Sequence, residues 1–337
     1  MSRPSRLGKR LGTRRRAMKR GWRRIAVIVP VLLAAGALLP PLAARMFGWG
    51  PDPRVLPPRG KAVGIGNGLE LNVIDVGSGS PIVLVHGLPS CANDWAAVPQ
   101  KLAALGHRVV AYDRVGYGYS SRPAPSADRY TYDSNARDLT ALLDALGIQR
   151  AALVGWSYGG AVVQTFAARA PDRVSHLILL AAVGPAQPRD DSVLGVILGS
   201  PVGPAILQWV SAVPPLSRAM TRDSLVQAFA RADAIPQGWT EYTMAMLALP
   251  DTLHSFVLEA QRGDERTLRP EGLGMAALVL QGTDDYLVPP AVGEDLHRRL
   301  PHSRLVMIPH GSHMLPITHP DLVADEIHAF VRAPAAD

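Results

Sequence analysis

The sequence predicts an α/β protein: a mostly parallel central sheet flanked by helices, interrupted by one inserted helical cap and preceded by an N-terminal transmembrane or signal segment. Three observations predict it. From residue 61 onward, short apolar runs alternate with stretches of helical period. That alternation fails once, over residues 186–269. A charge-free run of 20 residues, 25–44, comes after a strongly basic N-terminus.

At 337 residues the chain has room for one large domain with an insertion, or for two ordinary domains. An apolar content of 47% and an aromatic content of 6% fit a folded body. The net charge of +7 invites a nucleic-acid reading until it is located. Residues 1–24 hold 11 Lys and Arg and no acid, so 24 basic residues face 28 acidic ones in the remainder, about −4. A mildly acidic body offers no broad basic face to a phosphate backbone, so nucleic acid is not expected as a partner. The single cysteine, Cys91, excludes an intrachain disulfide. No Cys/His cluster has the spacing of a structural zinc site.

Residues 1–24 read as a basic cytoplasmic tail. Residues 25–44 match the ~20 apolar residues needed to cross a ~30 Å hydrocarbon core. The basic flank keeps the tail inside and exports the remainder of the chain. An uncleaved anchor is the expectation; a signal cleaved near Leu42-Ala43-Ala44 is the alternative, and Thr13 to Lys19 resembles a twin-arginine signal. Residues 45–60 are a proline-rich linker, read as stiff and extended.

The folded body is expected at 61–185 and 270–333, with 186–269 as the cap. Strand-like runs occupy 69–76, 82–86, 108–112, 151–154, 174–181, 276–280 and 305–308. Several are continuous rather than alternating, as suits strands covered on both faces. Between them, 132–146 sets Ala136, Leu139, Leu142, Leu143 and Leu146 on one helical stripe and stops at Gly147. Leu322, Val323, Ile327 and Phe330 form a similar stripe after Pro320. Repeated strand–helix alternation implies a parallel sheet with right-handed crossovers. The interval 186–269 has six prolines of note among apolar helical pieces and is too long for a plain loop.

Chemistry concentrates after strand-like runs. Gly155-Trp156-Ser157-Tyr158-Gly159-Gly160 lies between a strand and a helix, the context of a nucleophile elbow. There the serine sits on a sharp turn, Gly155 and Gly159 allow close strand–helix approach, and the helix N-terminus favours a developing oxyanion. A tetrahedral intermediate needs two N–H donors. Tyr158 N–H is one; Leu88 N–H, in His86-Gly87-Leu88-Pro89 after an earlier strand, is the expected second. Gly87 lets the backbone come close, and His86 is expected to order this loop rather than to act as base.

Serine needs a base, and the base needs an acid to fix its tautomer. The run 276–280 leads into Gln281-Gly282-Thr283-Asp284-Asp285, and 305–308 leads into Pro309-His310-Gly311-Ser312-His313. Both loops fall on the carboxyl edge of a parallel sheet, with Ser157. Spacing alone leaves Asp284 against Asp285 and His310 against His313 open.

These motifs, with Trp95 and Asp113-Arg114-Val115-Gly116-Tyr117-Gly118-Tyr119-Ser120, resemble the α/β-hydrolase superfamily over residues 63–331. The resemblance implies a triad of Ser157, Asp285 and His313, with Asp285 set by its distance from Gly282 and Pro289, and His313 by its distance from Pro320. Thr318 and Ser312 depart from the family pattern, where Glu and Gly are usual, and are expected to affect local packing only. The HGLP loop and Trp156 resemble those of epoxide hydrolases and haloalkane dehalogenases, but serine replaces their nucleophilic aspartate. The expected activity is therefore hydrolysis of a hydrophobic small-molecule carboxylic ester through an acyl-enzyme, with no cofactor or metal. Trp209, Phe229, Trp239, Met244, Met246 and Phe256 are candidate cap linings. The rivals are a carbon–carbon bond hydrolase, a cofactor-free haloperoxidase-like enzyme, and a non-catalytic ligand-binding module on the same scaffold.

Overall fold

The computed structural model of the chain describes residues 51–333, apart from 125, 127, 189–194, 197, 198, 201 and 202. The tail 1–24 and the segment 25–44 lie outside the described residues. Among the described residues no helix is long and apolar enough to cross a membrane.

Eight strands form one sheet: β1 Lys61–Gly64, β2 Glu70–Gly77, β3 Ser80–Val85, β4 His107–Tyr112, β5 Ala151–Trp156, β6 Val174–Leu180, β7 Ala277–Gly282 and β8 Ser303–Ile308. Their order is β1-β2-β4-β3-β5-β6-β7-β8, antiparallel at β1–β2 and β2–β4 and parallel elsewhere. The seven apolar runs read from the sequence correspond to β2 through β8. β1 escaped that reading because only Val63 of its four residues is buried, too little for a period to show.

The continuous apolar runs are divided between two faces of the sheet. Along β3, Val83 and Val85 enter one core cluster while Ile82 and Leu84 enter the other. β7 repeats the division, with Ala277 and Val279 against Leu278 and Leu280. Helices α2 Tyr132–Ala145 and α3 Tyr158–Arg169 cover the first face through Leu139, Leu142 and Phe166; α1 Val98–Ala104 and the C-terminal helix cover the second. Each fully buried Val or Leu contributes about 1.5–3 kcal/mol by leaving water. A Leu84→Ala cavity would cost ~2–5 kcal/mol.

Helix α2 starts at a reciprocal cap, Thr131 Oγ1 accepting from Ser134 N and Ser134 Oγ accepting from Thr131 N, both at 3.0 Å. It ends at Leu146, and Gly147 takes a positive φ of 67°. Between β6 and β7 the described residues form no strand. They form α4 Gly203–Ser211, α5 Pro214–Phe229, α6 Trp239–Leu247 and α7 Thr252–Arg262. Pro214 and Pro215 open α5, where a missing N–H costs nothing. Beyond β7 lie α8 Pro290–Arg299, α9 Leu315–Thr318 and α10 Pro320–Arg332.

Two expectations change. The described part of the linker is not extended throughout: Pro53–Val55 makes a 3-10 turn, Pro57 O accepts from Tyr119 Oη at 2.9 Å, and Arg59 lies 4.8 Å from the Tyr119 ring centroid. Proline removes a donor but keeps its carbonyl as an acceptor, which is what docks the segment. Leu322 is exposed on α10, because the buried stripe there is Val323, Ala324 and Ile327. Among the expected cap linings, Phe229 and Met246 are each 2% exposed, and Phe229 packs with the core face beneath and edge-on to Trp239.

Candidate active site

The strand order reverses at β3, whose chain neighbour β4 lies on one side and β5 on the other. In open parallel sheets the crevice above such a reversal is where ligands bind. The loops leaving β3 and β5 flank it, with Val85 paired to Gly155.

Ser157 sits at the sharp turn between β5 and α3, with φ 56° and ψ −122°. That region strains a non-glycine residue by about 1–3 kcal/mol and persists only when neighbours over-determine it. Here Ser157 N donates to Leu180 O at 3.0 Å, and Ser157 O accepts from Gly160 N at 2.9 Å and Val183 N at 3.2 Å. Gly159 permits the close approach: a Cβ there would lie 2.1 Å from Val85 O. Gly87 faces the nucleophile, and a Cβ there would lie 3.0 Å from Ser157 Cβ. As the first residue of α3, Tyr158 has no intrahelical partner for its N–H. Neither its N–H nor that of Leu88 donates to a described protein group.

His86 is fully buried and bonds on both sides. Its Nε2 accepts from Arg114 N at 2.9 Å, so Nδ1 carries the proton and donates to Gly87 O at 2.9 Å. Burial, then the Arg114 charge, hold its pKa well below the ordinary 6.5, so it is neutral. It orders the loop and has no free nitrogen.

The acid and base loops approach from β7 and β8. His313 Nδ1 lies 2.9 Å from Asp285 Oδ2, with side-chain exposures of 7% and 0%. Asp285 Oδ1 accepts from Leu287 N at 2.9 Å and Val288 N at 2.8 Å, which fixes the carboxylate. Trp156, the residue before the serine, donates from Nε1 to His313 O at 3.0 Å, and its ring lies 5.9 Å from the imidazole. The elbow and the imidazole loop are thus joined directly. Ser157 Oγ and His313 Nε2 have no hydrogen-bond partner among the described residues, and neither is sealed from solvent. The rival pair, His310 and Asp284, also meet, Nδ1 to Oδ2 at 3.4 Å, with side-chain exposures of 91% and 39%.

Sequence reasoning gave no role to several residues that the fold brings here. Arg114 and Glu259 are both 0% exposed and paired at 2.6 Å. Gln281 Nε2 donates to Val288 O at 2.9 Å, bracing the Asp285 turn. Asp113 holds the loops after β3 and β4, accepting from Ala92 N at 2.7 Å and Tyr119 N at 2.8 Å. Tyr242, from α6, donates to buried Asp94 at 2.5 Å, and burial raises the pKa of that carboxyl. A polar residue closing an otherwise apolar strand was the one available signal for Gln281. Ser312 Oγ accepts from Met314 N at 3.3 Å; Thr318 Oγ1 donates to Met314 O at 3.1 Å and lies 2.8 Å from His319 Nδ1, and neither hydroxyl bonds to His313. No cluster of three or more His, Cys, Asp or Glu among the described residues has a metal-binding arrangement.

The sequence pattern of the alpha/beta hydrolase fold matches residues 80–320. A 2-hydroxy-6-oxo-2,4-heptadienoate hydrolase of Pseudomonas putida is 31% identical over 255 residues, 75% of this chain and 89% of that protein. A non-heme chloroperoxidase of Streptomyces lividans is 30% identical over 267 residues, 76% and 92% of the two chains. Among solved structures, a thermophilic esterase from Thermogutta terrifontis superposes with a TM-score of 0.63 at 28% identity, covering 82% of this chain and 98% of that one.

Proposed function

The chain belongs to the α/β-hydrolase family, and from that premise we propose that it is a serine hydrolase that cleaves a hydrophobic small-molecule carboxylic ester through an acyl-enzyme. One observation supports the reading: the strained backbone turn that carries Ser157 is joined, through Trp156 Nε1 to His313 O, to the loop whose imidazole is oriented by buried Asp285.

In this reading Ser157 Oγ attacks the ester carbonyl carbon while its proton passes to His313 Nε2. The carbonyl oxygen becomes an oxyanion that accepts from Leu88 N–H and Tyr158 N–H. Asp285 keeps the proton on Nδ1 and stabilises the imidazolium. Collapse breaks the ester C–O bond, and His313 protonates the departing alkoxide. Water, deprotonated by the same nitrogen, then releases the acid and restores the serine.

Two other reactions fit the same three side chains. Carbon–carbon bond hydrolysis is favoured by likeness to the heptadienoate hydrolase, and peroxidase-like chemistry by likeness to the chloroperoxidase. The basic tail and the run 25–44 support a location on the extracytoplasmic side of the cell membrane, tethered by that run, with secretion after cleavage as the alternative.

The test is hydrolysis of p-nitrophenyl esters of graded acyl length, comparing wild type with Ser157→Ala. A fall in kcat of about 10⁴–10⁶ is expected. Near-normal turnover by the variant, or failure of wild type to react with a fluorophosphonate, would end the serine-hydrolase reading. Hydrolysis of a vinylogous 1,5-diketone in preference to every ester would move it to carbon–carbon chemistry.

A further inference from the structure

We propose that Arg114 and Glu259 are positioning residues that aim the oxyanion hole, and that Glu259 makes the inserted helical segment a structural part of that hole. The inference rests on the serine-hydrolase reading above.

A buried Arg–Glu pair is a weak source of stability, because desolvating two charges offsets most of their attraction. What the pair bonds to is more informative. The Arg114 guanidinium spends its donors on the oxyanion loop and on Glu259. Nη2 donates to Gly87 O at 2.8 Å, Nε donates to His86 O at 3.2 Å, and Nη1 donates to both Glu259 oxygens at 2.6 and 2.8 Å. Nη1 also reaches Asn135 Oδ1 at 3.2 Å.

The bond to Gly87 O decides the direction of Leu88 N–H. The two belong to one peptide unit, which is planar, so the carbonyl and the N–H point to opposite sides. Holding Gly87 O from one side with Arg114 and with His86 Nδ1–H presents the Leu88 N–H on the other. The same guanidinium lies 4.6 Å from the ring centroid of Tyr158, whose backbone N–H is the second donor. One side chain thus fixes both donor residues relative to each other.

Glu259 sets where that guanidinium sits. It lies on α7, between β6 and β7, 145 positions from Arg114 in sequence. Asn135 Nδ2 at 2.7 Å and Tyr117 Oη at 2.9 Å donate to it and fix its rotamer. Burial is the largest single influence and opposes the Arg114 charge, but Glu259 together with the Tyr117 and Tyr158 hydroxyls outweighs it, and the guanidinium remains protonated. A lysine at 114 keeps the charge that balances Glu259, yet one ammonium nitrogen cannot span Gly87 O, His86 O and the carboxylate together.

The test uses Arg114→Lys and Glu259→Gln in the full chain, with p-nitrophenyl butyrate as substrate and an alkyl trifluoromethyl ketone as inhibitor. The ketone forms a hemiketal with the serine, and its oxygen occupies the oxyanion site. Misaiming one donor is expected to lower kcat about 10- to 100-fold, with KM changed less than about threefold. The ketone Ki should rise by the same factor as kcat/KM falls. A loss of thermal stability alone would leave that proportionality absent. A folded variant with wild-type kcat and wild-type ketone Ki overturns the proposal, as does failure of both variants to fold, which would make the pair a stability device. Ser157→Ala separates the two readings: activity abolished by that change but untouched by Arg114→Lys removes the positioning role and leaves the serine mechanism standing.

Discussion

Two imidazole–carboxylate pairs lie on the same two loops, three positions apart on one and adjacent on the other. Asp285 and His313 are enclosed, 2.9 Å apart, with the carboxylate also accepting two backbone N–H groups. Asp284 and His310 are 3.4 Å apart, and the His310 side chain is 91% exposed. The residue types and chain order are the same, yet the environments are opposite. In water the outer pair is screened, and holding it in register costs side-chain entropy, so such pairs contribute little. In the enclosed pair the geometry is fixed before substrate arrives, and Nε2 is left without a partner among the described residues. Enclosure separates a candidate base from a surface residue of the same kind.

The comparison breaks first at the imidazoles. His313→Ala is expected to lower kcat by ~10⁵–10⁶, whereas His310→Ala should stay within about twofold, measured on the same ester. Comparable losses at both positions would show that the outer pair takes part. The carboxylates give the next largest contrast. Asp285→Asn should cost ~10⁴ in kcat by presenting the wrong tautomer, and Asp284→Asn should leave kcat within about twofold.

His86 sharpens the comparison as a third imidazole, buried without a carboxylate. Its pKa is lowered, so between that value and 6.5 the unfolded chain binds a proton that the native chain does not. Its contribution to stability is therefore present above pH 6.5 and lost as pH falls below it, by at most about 1.4 kcal/mol per pH unit. Urea unfolding at pH 7.5 and pH 5.5 should show the stability gap between wild type and His86→Asn narrowing at the lower pH. A gap that is constant or widens would mean that His86 is charged in the native state. The smallest effect belongs to the outer pair: Asp284→Asn should change unfolding free energy by less than ~0.5 kcal/mol at either pH.

Much of this was legible in the sequence. Continuous apolar runs give strands buried on both faces, since only such strands can hide every side chain. The elbow showed because one short window carries its own turn chemistry, glycines on either side of a serine between strand and helix. β1 was not legible, because one buried valine gives no period. Glu259 was not legible either, because a single acid on an amphipathic helix reads as a solvated residue until the fold buries it against Arg114.

The local pattern by itself therefore determined the strands, the elbow and the edge on which the candidate site residues gather, since hydrophobic period and turn residues act over a few positions. The family spacing already singled out Asp285 and His313; tertiary structure alone decided that this pair is enclosed while Asp284 and His310 are exposed, and that an arginine after β4 and a glutamate from the inserted helices lock the peptide before Leu88. The first depends on exclusion of water around two loops 28 positions apart, the second on distance between segments 145 positions apart. No spacing along the chain encodes either quantity.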